Sequence, residues 1–297
     1  MNGKMRIFLF HGVVREHRHM VRNYTRKHLS IDQFVTFMRE TLQLHQPVTM
    51  DECLKACLGD SDLPPSPFAV TFDDGFENNA SIVAPILTDL GVPATFYVST
   101  GFIGTDLRSW TDEIESALED ETVVDIRGVG QGVDGHYESA KEKQALMEEI
   151  RQKVKTDPAI DPYEYASNLV KAIGPRQIEF CGELDAKMTW DQVRDLDKEP
   201  LFTVGGHGHT HRILSHLGHD ELVDEIRTSV NLLERVVGHP VIHHSYPEGM
   251  PNCYSPEVIR VLRQFGVRCC PTAIEGFNEF RSDPFELKRI LVDGSKV

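Results

Sequence analysis

Short apolar runs alternate with amphipathic stretches along most of this 297-residue chain. A run of about four to eight apolar residues reads as a buried strand, and an apolar period near 3.6 reads as a surface helix. Residues 6–10, 68–72, 94–98, 202–204, 240–243, 267–270 and 288–292 fit the first pattern. Residues 31–44, 80–90, 221–237 and the stretch from Ser255 to Phe265 fit the second. Ser30 with Gln33, and Thr49 with Glu52, are capping-box pairs that start helices, while Gly91 and Gly266 are natural stops. Such alternation predicts βα units around a parallel sheet or barrel. Residues 107–188 depart from it: they are charged, mostly helical in pattern, and broken by a glycine-rich piece at 128–135. They read as an insertion on one face of a single domain spanning 1–297.

Composition narrows the partners. The chain carries 31 basic and 46 acidic side chains, a net charge of −15. That disfavours nucleic acid and anionic membranes as general electrostatic partners. No apolar stretch approaches the length of a transmembrane segment, and the first residues lack the apolar core and small-residue site of a secretory signal. A cytoplasmic location is therefore expected, with all six cysteines as reduced thiols. Cys269 and Cys270 are adjacent in an expected strand and should face opposite ways.

Three constellations carry chemistry. Asp73 and Asp74 follow the strand at 68–72 directly, at the strand end where α/β barrels build active sites. Asp-Asp-Gly is also ordinary turn chemistry. The second is Gly205-Gly206-His207-Gly208-His209-Thr210-His211. On a helical turn, His207 and His211 would share a face and grip one ion; an extended His207-x-His209-x-His211 arrangement is the rival geometry. An Asp, His, His set leaves a coordination position open, as catalytic zinc requires. Third, the turn Ser245-Tyr246-Pro247-Glu248-Gly249 could aim backbone N–H groups at a developing oxyanion.

In this order, Thr71–Gly75, the His207/His211 pair and Tyr246-Pro247-x-Gly249 resemble the polysaccharide deacetylase family with its NodB homology domain, carbohydrate esterase family 4. Thr189-Trp190-Asp191-Gln192 resembles that family's approach to the histidines. The resemblance implies a distorted (β/α)7 barrel and metal-dependent hydrolysis of an N-acyl amide on a sugar. By position, Asp73 matches the catalytic base, and Asp74, His207 and His211 match the metal ligands. Zinc is the first expectation, with cobalt, nickel or manganese suited to the same donors. The chain departs from the family in several places. Gly208 stands where Ser or Thr is usual, Glu248 where an aromatic residue is common, and the base-orienting arginine is missing near Ser245. The C-terminal Leu-x-His motif of the general acid is also absent. Leu9-Phe10-His11-Gly12 instead resembles circularly permuted members, which nominates His11 as general acid; Arg289 is the candidate replacement for the arginine.

Weaker candidates complete the reading. Tyr246, Pro247, Glu248 and His244 are expected around the substrate and oxyanion, with Trp110 or Trp190 stacking on a sugar. His209 is expected outside the ligand set. A basic stretch (Arg15, His17, Arg18, His19, Arg22, Arg26, Lys27, His28) reads as a solvated loop or a phosphate-binding lip. The expected activity is removal of an acetyl or formyl group from an amino sugar, as a nucleotide- or lipid-linked intermediate of bacterial surface polysaccharide. The same site acting on a non-sugar amide or cyclic imide is one alternative, and a non-catalytic carbohydrate-binding barrel is another.

Overall fold

Phenylalanines set the centre of the sheet. In the computed structural model, which describes residues 4–16, 18–105, 107–129, 132–174 and 182–296, four strands of five or six residues run parallel. They are β1 (Arg6–Phe10), β2 (Pro67–Phe72), β3 (Ala94–Val98) and β4 (Phe202–Gly206), and a short β5 (Ile290–Leu291) flanks β1, giving the order β5-β1-β2-β3-β4. A two-residue strand, Gln46–Pro47, also pairs with β2. Every residue of β2 is buried, as expected of a parallel strand covered on both faces. The register aligns Phe10 with Phe72 and Phe72 with Phe96. Their rings stack at 5.2 and 5.4 Å.

Beyond β4 the ring continues through single bridges. Gly206 pairs in parallel with His244, and His243 with Cys269. Thr272 N–H then donates to Leu287 (2.8 Å) and Arg289 N–H to Ile274 (3.0 Å), while Val292 N–H returns to Leu9 on β1 (3.0 Å). This is the α/β barrel expected from the sequence, built of parallel staves and distorted on its last side. The expected strands at 240–243 and 267–270 are only bridges there, and 288–292 shortens to β5. Pro240 and Pro271 supply no N–H to those ladders, which limits regular pairing. Cys269 packs with Cys53 and Cys57 while Cys270 packs with Tyr246, so the adjacent thiols do face opposite ways. The cysteines described, Cys53, Cys57, Cys253, Cys269 and Cys270, are free and buried; Cys181 and His17 lie outside the described residues.

Helices flank the staves where the caps predict them. α1 (Ile31–Leu44) and α2 (Met50–Leu58) both begin with complete capping boxes. A π-turn at Asn79–Val83 runs into α3 (Ala84–Leu90), which Gly91 ends in the left-handed region. Within 107–188 stand α4 (Trp110–Asp120), α5 (Ala140–Thr156) and α6 (Pro162–Ile173), joined around their own apolar cluster of Trp110, Ile114, Leu118, Met147, Ile150 and Leu169. They meet loops at the C-terminal mouth of the barrel. Glu119 accepts from the N–H groups of Met20, Val21 and Arg22, and the Tyr163 hydroxyl donates to Thr210 (2.6 Å). α7 (Trp190–Lys198), α8 (His219–Val237) and α9 (Pro256–Gln264) complete the outer layer. Among the described residues, no helix is long and apolar enough to cross a membrane.

Phe72 touches three other rings and is fully buried, so Phe72→Ala should leave a cavity that cannot collapse. We expect a loss of about 3–5 kcal/mol in denaturant unfolding. A loss below about 1 kcal/mol would mean the stack does not anchor the sheet.

Candidate functional site

β2 delivers two carboxylates to one cavity but to different partners, because the chain turns sharply after Phe72. Asp73 N–H still donates to Phe10 on β1 (3.0 Å), so it remains in the ladder. Asp74 and Gly75 then take φ of +76° and +74°. That conformation is uncommon for a non-glycine residue and marks stored strain. Asp73 faces Arg289, whose Nη1 and Nη2 donate to its two oxygens at 2.8 and 2.7 Å. The guanidinium is fully buried and also donates to the Thr272 carbonyl (2.6 Å) and the Thr71 hydroxyl (3.2 Å). Burial opposes ionisation of Asp73, but the Arg289 charge, with His207, holds its carboxyl below the ordinary range. The arginine nominated from the sequence thus reaches Asp73 from the last stave.

Asp74 faces two histidines. Its Oδ1 lies 3.5 Å from His207 Nε2 and 3.2 Å from His211 Nε2, and one donor atom from each residue lies within 4.8 Å of the others. Burial works against its charge, and contacts from His207 and then His211 hold it well below the ordinary value. His207 Nδ1 sits 3.0 Å from the Ser245 carbonyl, which leaves Nε2 for an ion. The donor set fits a divalent cation.

The histidines stand neither on a helical turn nor on an extended segment. They sit on an irregular loop in which Gly208 (φ +73°) and His211 (φ +56°) are left-handed. Tertiary contacts hold this shape. The Glu225 carboxylate, buried on α8, accepts from the N–H groups of His209 and Thr210 and from the Thr210 hydroxyl, at 2.6–2.9 Å. Ser229 donates to Gly208 O (3.0 Å), and Ser99 to His207 O (2.9 Å). His209 turns away, its Nδ1 2.9 Å from the Thr100 hydroxyl.

His11 lines the same cavity as Asp73, Asp74, His207 and His211. Its Nδ1 is buried without a hydrogen-bond partner. Burial lowers its pKa to about 4, so the imidazole is neutral near pH 7.

Other candidates are corrected. Tyr246 points into the core, donating to Phe285 O (3.1 Å) and stacking on Tyr254 at 4.6 Å. The N–H groups of Ser245, Tyr246 and Gly249 are bonded to Gly206, Pro271 and Pro247, which leaves the Glu248 N–H as the one in this turn without a backbone acceptor among the described residues. Pro247 has no N–H and packs against Gly208. His244 is not in the cleft: its Nε2 accepts from Gly208 N–H (3.1 Å), and burial pulls its pKa to about 3. His243 faces the other way, to Asp51 (2.8 Å). Glu248 does line the cavity, but it is paired with Lys155. Burial opposes its charge, and Lys155 pulls its carboxyl down to about 2. Trp110 borders the cavity but is 3% exposed, its ring committed to the helical cluster, and Trp190 packs against the barrel core.

Sequence reasoning missed Glu225, Lys187 and Asp112. Glu225 was legible as a polar residue on the buried stripe Leu222, Ile226, Val230 and Leu233 of α8. Lys187 and Asp112 carry no local signal.

The profile of the family described as "Polysaccharide deacetylase" matches residues 60–152 and 167–270. No curated protein sequence matches the chain significantly. Among solved structures, IcaB from Ammonifex degensii is similar at TM-score 0.64 and 16% identity, over 100% of this chain and 94% of that one. The Streptococcus pyogenes deacetylase PplD, solved with acetate, aligns at 0.61 and 14%, over 99% and 94%. The BpsB deacetylase domain of Bordetella bronchiseptica aligns at 0.57 and 17%, over 98% and 96%. At these identities the structures speak for the fold.

Glu225→Ala removes the carboxylate that accepts from the His209 and Thr210 N–H groups and the Thr210 hydroxyl. The loop should loosen, with added zinc bound about 10–100-fold more weakly and about 1–3 kcal/mol lost in unfolding. Chelator competition and denaturant titration read the two; unchanged zinc affinity would show that Glu225 does not shape the ligand loop.

Proposed function

The chain belongs to the polysaccharide deacetylase family, and on that premise we propose that it is a metal-dependent hydrolase removing an acetyl or formyl group from an amino sugar. One observation carries the reading. A carboxylate held at both oxygens by Arg289 stands beside an Asp74, His207, His211 donor set, at the mouth of the barrel. That pairing of base and ligand set suits amide hydrolysis better than sugar binding alone.

A divalent cation held by Asp74, His207 and His211 would polarise the acyl carbonyl and acidify water at the site. Zinc is the first choice. Asp73 accepts a proton from the attacking water; the water oxygen bonds to the acyl carbon, and the carbon–nitrogen bond breaks. The nitrogen leaves as an amine after gaining a proton, and the acyl group leaves as acetate or formate. Arg289 keeps Asp73 ionised and fixes its direction. His11 is the group assigned to protonate the amine. Burial leaves it neutral, so its role is to relay to the leaving nitrogen the proton that Asp73 takes from the water, which also returns Asp73 to its ionised form.

The substrate proposed is a nucleotide- or lipid-linked intermediate of bacterial surface polysaccharide. We assign the reaction to the cytoplasm, where the buried thiols would stay reduced.

The direct test is release of acetate or formate from a panel of N-acylated amino sugars by metal-loaded protein, with metal analysis expected to find about one ion per chain. Asp73→Asn should retain the metal and lose about 10²–10⁴ in kcat. Asp74→Ala should lose the ion. Arg289→Gln leaves burial to act on Asp73 unopposed by the guanidinium. The Asp73 pKa then rises, and the acid limb of kcat/KM moves to higher pH by about 1–3 units. Release from no sugar in the panel, or an acid limb unmoved in Arg289→Gln, would count against the reaction or against the base assignment respectively.

A further inference from the structure

We propose that Lys27 and Lys187 form a subsite beside Asp74 that binds a negatively charged group, a phosphate or a carboxylate, carried by the acylated sugar. The inference rests on the hydrolase reading for its substrate and on separate observations for its site.

Most of the basic stretch is already paired. Arg15 bonds Glu183, Arg18 bonds Glu16, and Arg22 bonds Asp185. Arg26 donates to the Gly294 carbonyl. Lys27 instead lines the cavity, with Nζ 3.3 Å from Asp112 and 4.0 Å from Asp74. Lys187 reaches the cavity from the opposite side of the chain, beside the Asp73–Asp74 turn, where Lys187 bridges Phe76 and Met188 N–H donates to Gly75 O.

The Lys187 side chain is 1% exposed, and its Nζ makes no hydrogen bond. Asp112 Oδ2 is 3.9 Å away, and the Phe76 ring lies 3.2 Å beneath the ammonium. A buried ammonium with open donors is costly, because water is excluded and no acceptor replaces it. The two lysines share Asp112, which balances one of their two charges. Asp74 is the next carboxylate to both, but it faces both histidines; the acids beyond it, Glu115 toward Lys27 and Asp185 toward Lys187, already face Arg151 and Arg22. A cation on Asp74 would further repel Lys27, unless an anion entered between them. A sugar hydroxyl could accept from Lys187 but would leave the charge unmatched. A phosphate or carboxylate oxygen answers both needs. The two sources are the phosphate of a carrier and the carboxylate of an acidic sugar.

The test compares kcat/KM of zinc-loaded protein on N-acetylglucosamine, N-acetylglucosamine 1-phosphate and N-acetylmuramic acid. A preference for the phosphate arm identifies a phosphate-bearing substrate, and one for the muramic acid arm an acidic sugar. In Lys187→Gln and Lys27→Gln the preference for the charged sugar should fall by about tenfold or more, the worth of one hydrogen bond to a charged group. Arg18→Gln, on the surface, should leave that ratio in place. Calorimetric titration with inorganic phosphate should show the same tenfold weakening. Thermal unfolding checks each variant, and Lys27→Gln, at a partly exposed position, serves if Lys187→Gln does not fold. Equal losses on charged and neutral sugars, or phosphate affinity unchanged in both variants, would overturn the subsite. If no sugar is hydrolysed but phosphate binding still depends on the lysines, the hydrolase reading fails and the anion site stands.

Discussion

A buried ion pair ties the barrel to its site. Arg289 is fully enclosed, and its guanidinium spends its donors on Asp73, Thr71 and the Thr272 carbonyl. Two charges removed from water repay their desolvation only when geometry is good and the remaining donors are satisfied. Here the pair is bidentate and four of the five N–H donors find acceptors, an arrangement that forms only when the last stave lies against β1. Residues 73 and 289 are distant in sequence, so closing the ring and completing the charge pair are one event. Losing either partner leaves an unpaired buried charge, at a cost of about 3–5 kcal/mol. The arginine that keeps Asp73 ionised therefore also depends on, and enforces, closure of the fold.

The histidine loop is held by the same logic at lower charge. Gly208 N–H needs an acceptor inside the protein, and His244 supplies one only as a neutral ring with a lone pair on Nε2. Burial lowers the His244 pKa and so favours the form that the hydrogen bond requires. Glu225 supplies the negative partner for two neighbouring amides and a hydroxyl. A side chain at Gly208 would approach Glu225 to 3.0 Å from a backbone with positive φ. Glycine at that position is thus tied to the acid opposite it, and the departure from the family's usual Ser or Thr has a physical reason.

The legible parts of this fold were those decided locally. Ser30–Gln33 and Thr49–Glu52 cap helices because the partners are three residues apart. The 68–72 run becomes a strand because it is apolar throughout, and the Asp-Asp-Gly turn follows it without a gap. Arg289 was nominated through the family resemblance, as the replacement for the base-orienting arginine missing near Ser245. What failed was decided at long range. The spacing of His207 and His211 suggested a helical turn, but Gly208, Glu225 and His244 impose another path. Alternation along 243–246 could not say which side chains face the cavity, since that stretch is a chain of bridges with no regular strand. Tyr246 and His244 both turned inward for that reason. Lys187 and Asp112 meet only because the inserted helices fold over the mouth, and no period in the sequence encodes that meeting.

Net charge is a similar case of a global number hiding a local arrangement. The −15 total is spread over a surface where acids outnumber bases. At the cavity the order differs: Lys155 faces Glu248, Arg151 lies 3.9 Å from Glu115, and Lys27 and Lys187 share Asp112. Surface charge is screened within about a Debye length, roughly 8 Å at physiological salt, whereas enclosed pairs are screened much less. The overall charge can therefore repel extended polyanions while the enclosed ammonium groups still attract a single anionic substituent. Selection between those two classes of anion then depends on size: a polymer meets the acidic exterior along its length, and a small substituted sugar meets mainly the cavity wall.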